Sequence, residues 1–248
     1  MRSGAARLCP VTAPFTPFTT LDLLRVATDR FGRTPEEWLT AALAGAGGPV
    51  LDIRCAAEHP ATRVRLRWAR GGMGGGPDAL GRADRLPVRT NAAAGVRATM
   101  CLPVIEPLDR LFAELRRVLR PTGTLAALVP SGTGYGPLRW HPSRAPGRAL
   151  DRALAGHPGF RHQTARDHLA WLFHAADFAV MTDQRQVFWV PIPDADTATA
   201  AVAGLVPAAV WPPDVEPERL RQAAAELTRL ADDGIRLPIP LRLLVGRR

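Results

Sequence analysis

The residues best placed to do chemistry begin in VLDIRC, Val50 to Cys55. An apolar run carrying Asp52 reads as a buried strand whose acid lies near its end, where a turn would open onto a small-molecule site. Downstream, GRADRLP (Gly81 to Pro87) supplies a second acid, Asp84, followed by the apolar Leu86, and GVRATMCLPV (Gly95 to Val104) ends a strand at Met100. His141, His162, His168 and His174 are the candidate general bases, since imidazole titrates near neutrality. His168 and His174 are six apart and fall on different faces of a helix, so the spacing predicts no metal site. The stretch PSGTGYG (Pro130 to Gly136) lacks a nucleophile elbow, and GGMGGG (Gly71 to Gly76) lacks the Lys-Ser/Thr pair of a phosphate loop and reads as flexible.

The elements that position these residues alternate. Thr20 to Phe31 and Pro35 to Leu43 have helical spacing, the second with Thr34 as N-cap and Pro35 in its first turn. Pro49 to Ile53 and Val64 to Trp68 read as strands, Leu108 to Leu119 as a helix with one apolar face, Pro121 to Gly123 as a turn and Thr124 to Val129 as a buried strand. Asp167 to Ala176 and Glu216 to Leu230 read as helices, while Phe178 to Met181, Gln186 to Ile192 and Leu237 to Val245 read as extended. Strands alternating with helices predict a mostly parallel α/β sheet. The expected organisation is an N-terminal arm with opening helices over 1–45 and one domain over 46–248.

Composition narrows the setting. Net charge is +9 over 248 residues, and all 32 basic residues are arginine, a pattern that suggests a GC-rich coding sequence. Counted by adjacency the arginines are scattered, with pairs only at Arg116-Arg117 and Arg247-Arg248, and no basic-aromatic ladder accompanies them. Nucleic-acid binding is therefore not the expected role. Cys9, Cys55 and Cys101 are far apart, which argues against disulfides or zinc and for a cytoplasmic location. No signal peptide or apolar span is evident, so no membrane partner is expected.

Three stretches taken in order carry a family resemblance: VLDIRC, GRADRLP and ELRRVLRPTGTLAALVP (Glu114 to Pro130). Together they resemble class I S-adenosylmethionine (SAM)-dependent methyltransferases, and the pattern extends over roughly residues 35 to 248. The resemblance implies a Rossmann-like, seven-stranded sheet with an antiparallel last strand and SAM across the carboxyl ends of the first strands. It assigns Asp52, Cys55, Ala56, Asp84, Leu86 and Met100 to the cofactor, and a small organic acceptor to the region near Met100 to Val104 and Pro130 to Tyr135. The chain departs from that family where it matters most. The glycine loop falls on Arg54, Cys55, Ala56, Ala57 and Glu58, with no glycine left to allow positive φ or close backbone approach. Val64 to Arg70 offers no acid for the ribose hydroxyls. Residues 56 to 83 are also too few for two crossover helices and a strand, each crossover needing at least ~10–12 residues. Arg54 would further set a cation beside the sulfonium. Two functions follow: a methyltransferase acting on a small organic acceptor through an eroded SAM site, or a non-catalytic pseudo-methyltransferase serving as a binding or partner module. An arginine-rich nucleic-acid binder is the third reading.

Overall fold

The computed structural model describes residues 22–55, 62–70, 73–74, 79–131, 144–231 and 234–248. In chain order the elements are α1 (Leu23–Val26), α2 (Pro35–Ala41), β1 (Val50–Cys55), β2 (Arg63–Arg70), β3 (Met73–Gly74), β4 (Ala79–Arg82), β5 (Ala93–Thr99), α3 (Leu108–Val118) and β6 (Leu119–Pro130). They continue with α4 (Arg144–Ala153), α5 (Gln163–Asp167), α6 (Leu169–Ala175), β7 (Ala179–Ile192), α7 (Ala195–Leu205), α8 (Pro217–Ala231) and β8 (Ile235–Arg247). Among the described residues no helix is long and apolar enough to cross a membrane.

The strands form one open sheet in the order β3-β2-β1-β5-β6-β8-β7, with β4 also paired to β2. The ladders β1–β5 and β5–β6 are parallel, and the others are antiparallel. Strand direction is thus shared by β1, β3, β4, β5, β6 and β7, while β2 and β8 run against them. The fold is a mostly parallel, Rossmann-like α/β sheet with an antiparallel last strand, as the sequence led us to expect. The reversal of β2 is the departure.

Period-two alternation splits the strands between two cores. Leu51, Ile53, Val64, Leu66, Val96 and Ala98 pack on the side of α3, where Leu111, Phe112 and Leu115 form the buried stripe. The opposite face meets α1, α2, α4, α7 and α8, through Leu23, Trp38, Val202 and Leu227 among others. Asp52, Arg54, Arg97 and Thr99 alternate onto this second face.

Several boundaries differ from expectation for identifiable reasons. The first helix is one turn only, because the Asp29 carboxylate accepts the Phe31 and Arg33 N–H groups and draws the chain into a turn, leaving Phe31 exposed. Thr34 and Glu37 form the expected capping box at the start of α2. Pro121 to Gly123 is an irregularity inside β6 rather than a turn before it, with Thr122 at φ +64°. The expected helix from Asp167 to Ala176 is broken at His168 into α5 and α6. The two extended segments between Phe178 and Ile192 are one strand, β7, with a bulge between Val180 and Thr182.

Candidate functional site

In an open α/β sheet, ligands gather outside the carboxyl ends of the strands where the strand order reverses. Here that point lies at β1 and β5, and a cleft of about 280 Å³ opens there, lined by Arg54, Cys55, Thr99 and Met100 and bounded by Leu24 and Pro207. Its volume sits at the low end of small-molecule pockets. Met100 is buried with φ +56°, a left-handed conformation held in place by donation of its N–H to Leu128 O at 2.8 Å. Burial pushes the Cys55 thiol up to about 12 and the Cys101 thiol well above its ordinary range, so neither is a nucleophile near neutral pH.

Asp52 sits behind the cleft, 3% exposed and fully engaged. Its Oδ2 accepts from Arg54 Nε at 3.0 Å and from Arg97 Nη2 at 2.8 Å, and its Oδ1 accepts from the Thr99 hydroxyl at 3.2 Å. The cross-strand register explains this, because Arg97 stands directly beside Asp52 on β5. Burial raises the Asp52 carboxyl, but hydrogen bonding to Arg97 and the charge of Arg54 outweigh it and hold the group below the ordinary carboxylate range. Arg54 then bridges to α2, donating Nη2 to Glu36 Oε1 at 2.5 Å, while Arg97 Nη1 donates to Thr40 Oγ1 at 3.1 Å. The two carboxylates raise the Arg54 guanidinium further above its already high value, against the effect of burial. Its charge is thus compensated, which removes the expected objection that a bare cation would face the sulfonium. Arg54 walls both the cleft and a second cavity of about 660 Å³ beneath α2.

The residues do not fit SAM in the manner the resemblance implies. β1 and β2 are paired antiparallel with Cys55 opposite Val64, so the chain reverses within residues 56–63. A strand–loop–helix crossover, which takes at least ~10–12 residues, does not fit in that span. The reversal also moves the end of β2. Ala69 pairs with Val50, at the amino end of β1, roughly 16 Å from the cleft at ~3.3 Å per residue, so no side chain at the close of β2 can reach a ribose there.

Of the residues assigned to the cofactor, the structure brings Cys55 and Met100 together in the cleft and places Asp52 directly behind them. Ala56 lies outside the described residues. Asp84 and Leu86 belong to the other face. The Asp84 carboxylate takes a bidentate contact from Arg82, which holds its pKa down. Leu86 is buried in the α3-side core and gives its N–H to Glu114 Oε2 at 2.7 Å. Among the histidines, His162, His168 and His174 lie in or beside α5 and α6 and none lines the cleft, while His141 lies outside the described residues. The glycine run contributes Met73–Gly74 to the sheet, and its other residues, like most of Pro130 to Tyr135, fall outside the described part. No cluster of three or more His, Cys, Asp or Glu that could hold a metal occurs among the described residues. Sequence reasoning missed Arg97 and Glu36; an arginine inside an otherwise apolar strand was the available signal, since such a charge must find a partner.

No family model and no curated protein matches the chain. Solved structures do. The [4+2]-cyclase SpnF is 19% identical, with a TM-score of 0.37 over 68% of this chain and 54% of that one. The YcgJ protein from Bacillus subtilis is 14% identical, with a TM-score of 0.40 over 68% and 69%. The 1,6-didemethyltoxoflavin-N1-methyltransferase of Burkholderia thailandensis, solved with S-adenosylhomocysteine, is 15% identical, with a TM-score of 0.31 over 68% and 48%. The chain thus spans about half the length of two of these three.

Proposed function

We propose that this chain is a non-catalytic, methyltransferase-like protein that uses the sheet as a binding or partner module. The observation that carries this reading is the antiparallel β1–β2 pairing, which leaves no room for the glycine loop and crossover helix that would seat SAM. The Asp52 network supports it, because the strand acid is saturated by Arg54, Arg97 and Thr99 and has a structural duty without any ligand. The competing reading, methyl transfer to a small organic acceptor, draws on the cleft at Cys55 and Met100, which lies where the resemblance would seat the cofactor.

Thermal unfolding with and without S-adenosylhomocysteine and SAM decides between them. A ligand that binds only the native state raises apparent stability, by ~2.7 kcal/mol at a hundredfold excess over Kd. The expected result is an unchanged midpoint at millimolar ligand. A rise of several degrees with either compound would restore the enzyme reading.

A further inference from the structure

The β2 sequence RVRLRWAR alternates arginine with apolar residues, and the structure turns this period into a surface. Val64 and Leu66 enter the α3-side core, so Arg63, Arg65 and Arg67 project together from the opposite face, all exposed. Along one strand their spacing is ~6.6 Å. The arginines facing them on the neighbouring strands are held by carboxylates, Arg82 by Asp84, Arg54 by Asp52 and Glu36 and Arg97 by Asp52, so the charge left here without a partner among the described residues lies with Arg63 and Arg65. Arg63 stands opposite Arg82 on β4, Arg65 opposite Arg54 on β1, and Arg67 and Arg97 flank Asp52 on either side.

Elsewhere in the described fold, arginines are commonly paired with carboxylates: Arg117 with Glu114, Arg161 with Glu106 and Arg242 with Asp183 are examples. Arg63 and Arg65 make no ion pair or side-chain hydrogen bond among the described residues. Guanidinium groups ~6.6 Å apart on one strand face repel one another, and a negative partner would relieve that repulsion. The 660 Å³ cavity beside Arg67 is of mixed charge, with Glu36, Glu37 and Asp52 facing Arg25, Arg54 and Arg97, and it bounds the arginine row on the side of α2.

We infer that this face binds the phosphate backbone of a nucleic-acid duplex without reading its sequence. The inference names a partner for the binding-module reading and rests on it. A regular row of guanidinium groups matches a regularly charged polymer, and arginine holds phosphate bidentately. Trp68 packs toward the α3-side core, leaving no aromatic of β2 on the arginine face to stack single-stranded bases. β2 has strand partners on both sides, so a peptide cannot add to it as a further strand, and the arginine row offers no aromatic anchor of the kind that dominates protein interfaces.

The test measures binding of the full chain to a fluorescent 20-base-pair DNA and RNA duplex by anisotropy across 50–200 mM KCl. Arg63→Gln/Arg65→Gln is the comparison, with polyglutamate and phosphatidylserine vesicles as alternative polyanions. Both positions are exposed and without a partner among the described residues, so the variant should melt no lower than the parent, and that melt is recorded first. Binding should fall steeply with salt, and the double variant should lower the slope of log K against log salt by about 2 and weaken binding roughly tenfold to a hundredfold at 0.1 M. No duplex binding, an unchanged slope in the folded variant, or equal affinity for polyglutamate or the vesicles would overturn the inference. The S-adenosylhomocysteine melt reports on the non-catalytic reading separately, so failure of one is not mistaken for failure of the other.

Discussion

Replacing Asp52 by asparagine tests whether that acid serves the fold or a ligand. The side chain is nearly isosteric and can still accept from Thr99, so the change removes charge and little else. Arg97, with its side chain 16% exposed, loses the only carboxylate it contacts among the described residues. Arg54, about a third exposed, keeps Glu36. Breaking a buried ion pair by removing one partner costs ~3–5 kcal/mol. The partial exposure of Arg54 and its remaining partner reduce that, giving an expected loss of about 2–4 kcal/mol from a total stability of ~5–15 kcal/mol. Urea unfolding is the assay, and at an m of ~2–3 kcal/mol per M the midpoint should fall by about 1 M with m unchanged. The Glu36→Gln change, on a more exposed pair, should cost less than ~1 kcal/mol. The pH dependence has a definite sign. Asp52 is depressed in the folded state, so its contribution is complete above the unfolded value near ~3.9 and is lost as pH falls through the lower folded value. Wild type should therefore lose stability below about pH 4 more steeply than Asp52→Asn. A variant within ~0.5 kcal/mol of wild type, with the same acid limb, would refute the structural assignment.

Two other changes probe the rest of the described chain. Thr122 is an exposed, β-branched residue at φ +64°, and its N–H bond to Arg248 O survives substitution, so Thr122→Gly should stabilise by about 0.5–1 kcal/mol after the entropy cost of glycine, seen as a melting point higher by ~1–4 °C; a drop would show that the strain assignment is wrong. In a Cys9→Ser background, Cys55, which lines the cleft, should react with a disulfide reagent at pH 8 about three orders of magnitude more slowly than a free thiol, because desolvation holds it at about 12, and the buried Cys101 should react only on unfolding; labelling of the native protein within minutes would contradict this.

How much of this could be read from the residues depends on how local each signal is. β1, α3, α8 and β8 announce themselves through apolar runs or one-sided helical spacing, and the α2 start through its capping box. The direction of β2 does not, because alternation tells which face a residue takes but not which way the strand runs; the brevity of the segment after Cys55 was the clue. Adjacency counting made the arginines look scattered, since a strand gathers residues two apart. α7 hides because its small residues, with Ala198, Ala201 and Val202 buried, give no marked division between an apolar and a polar face. At the site, Asp52 was visible as an acid near a strand end, but its partner Arg97 is 45 residues away and becomes its neighbour only through the β1–β5 register.

The hairpin and the arginine face are two consequences of one change. When β1 crosses to its neighbour through a helix, that helix covers the sheet, and the strands can be apolar on both sides. With the crossover replaced by a direct reversal, no helix stands among the principal neighbours of β2, which are β1, β3 and β4. A strand so exposed must carry polar residues on its open side or present an aggregation-prone surface, and Arg63, Arg65 and Arg67 meet that requirement. Solubility alone would be satisfied by mixed charge, as on α8, where Glu218 pairs with Arg221 and Glu226 with Arg229. A single-sign row along β2, with no acid between its arginines, is the arrangement that solubility does not explain and that an anionic polymer does.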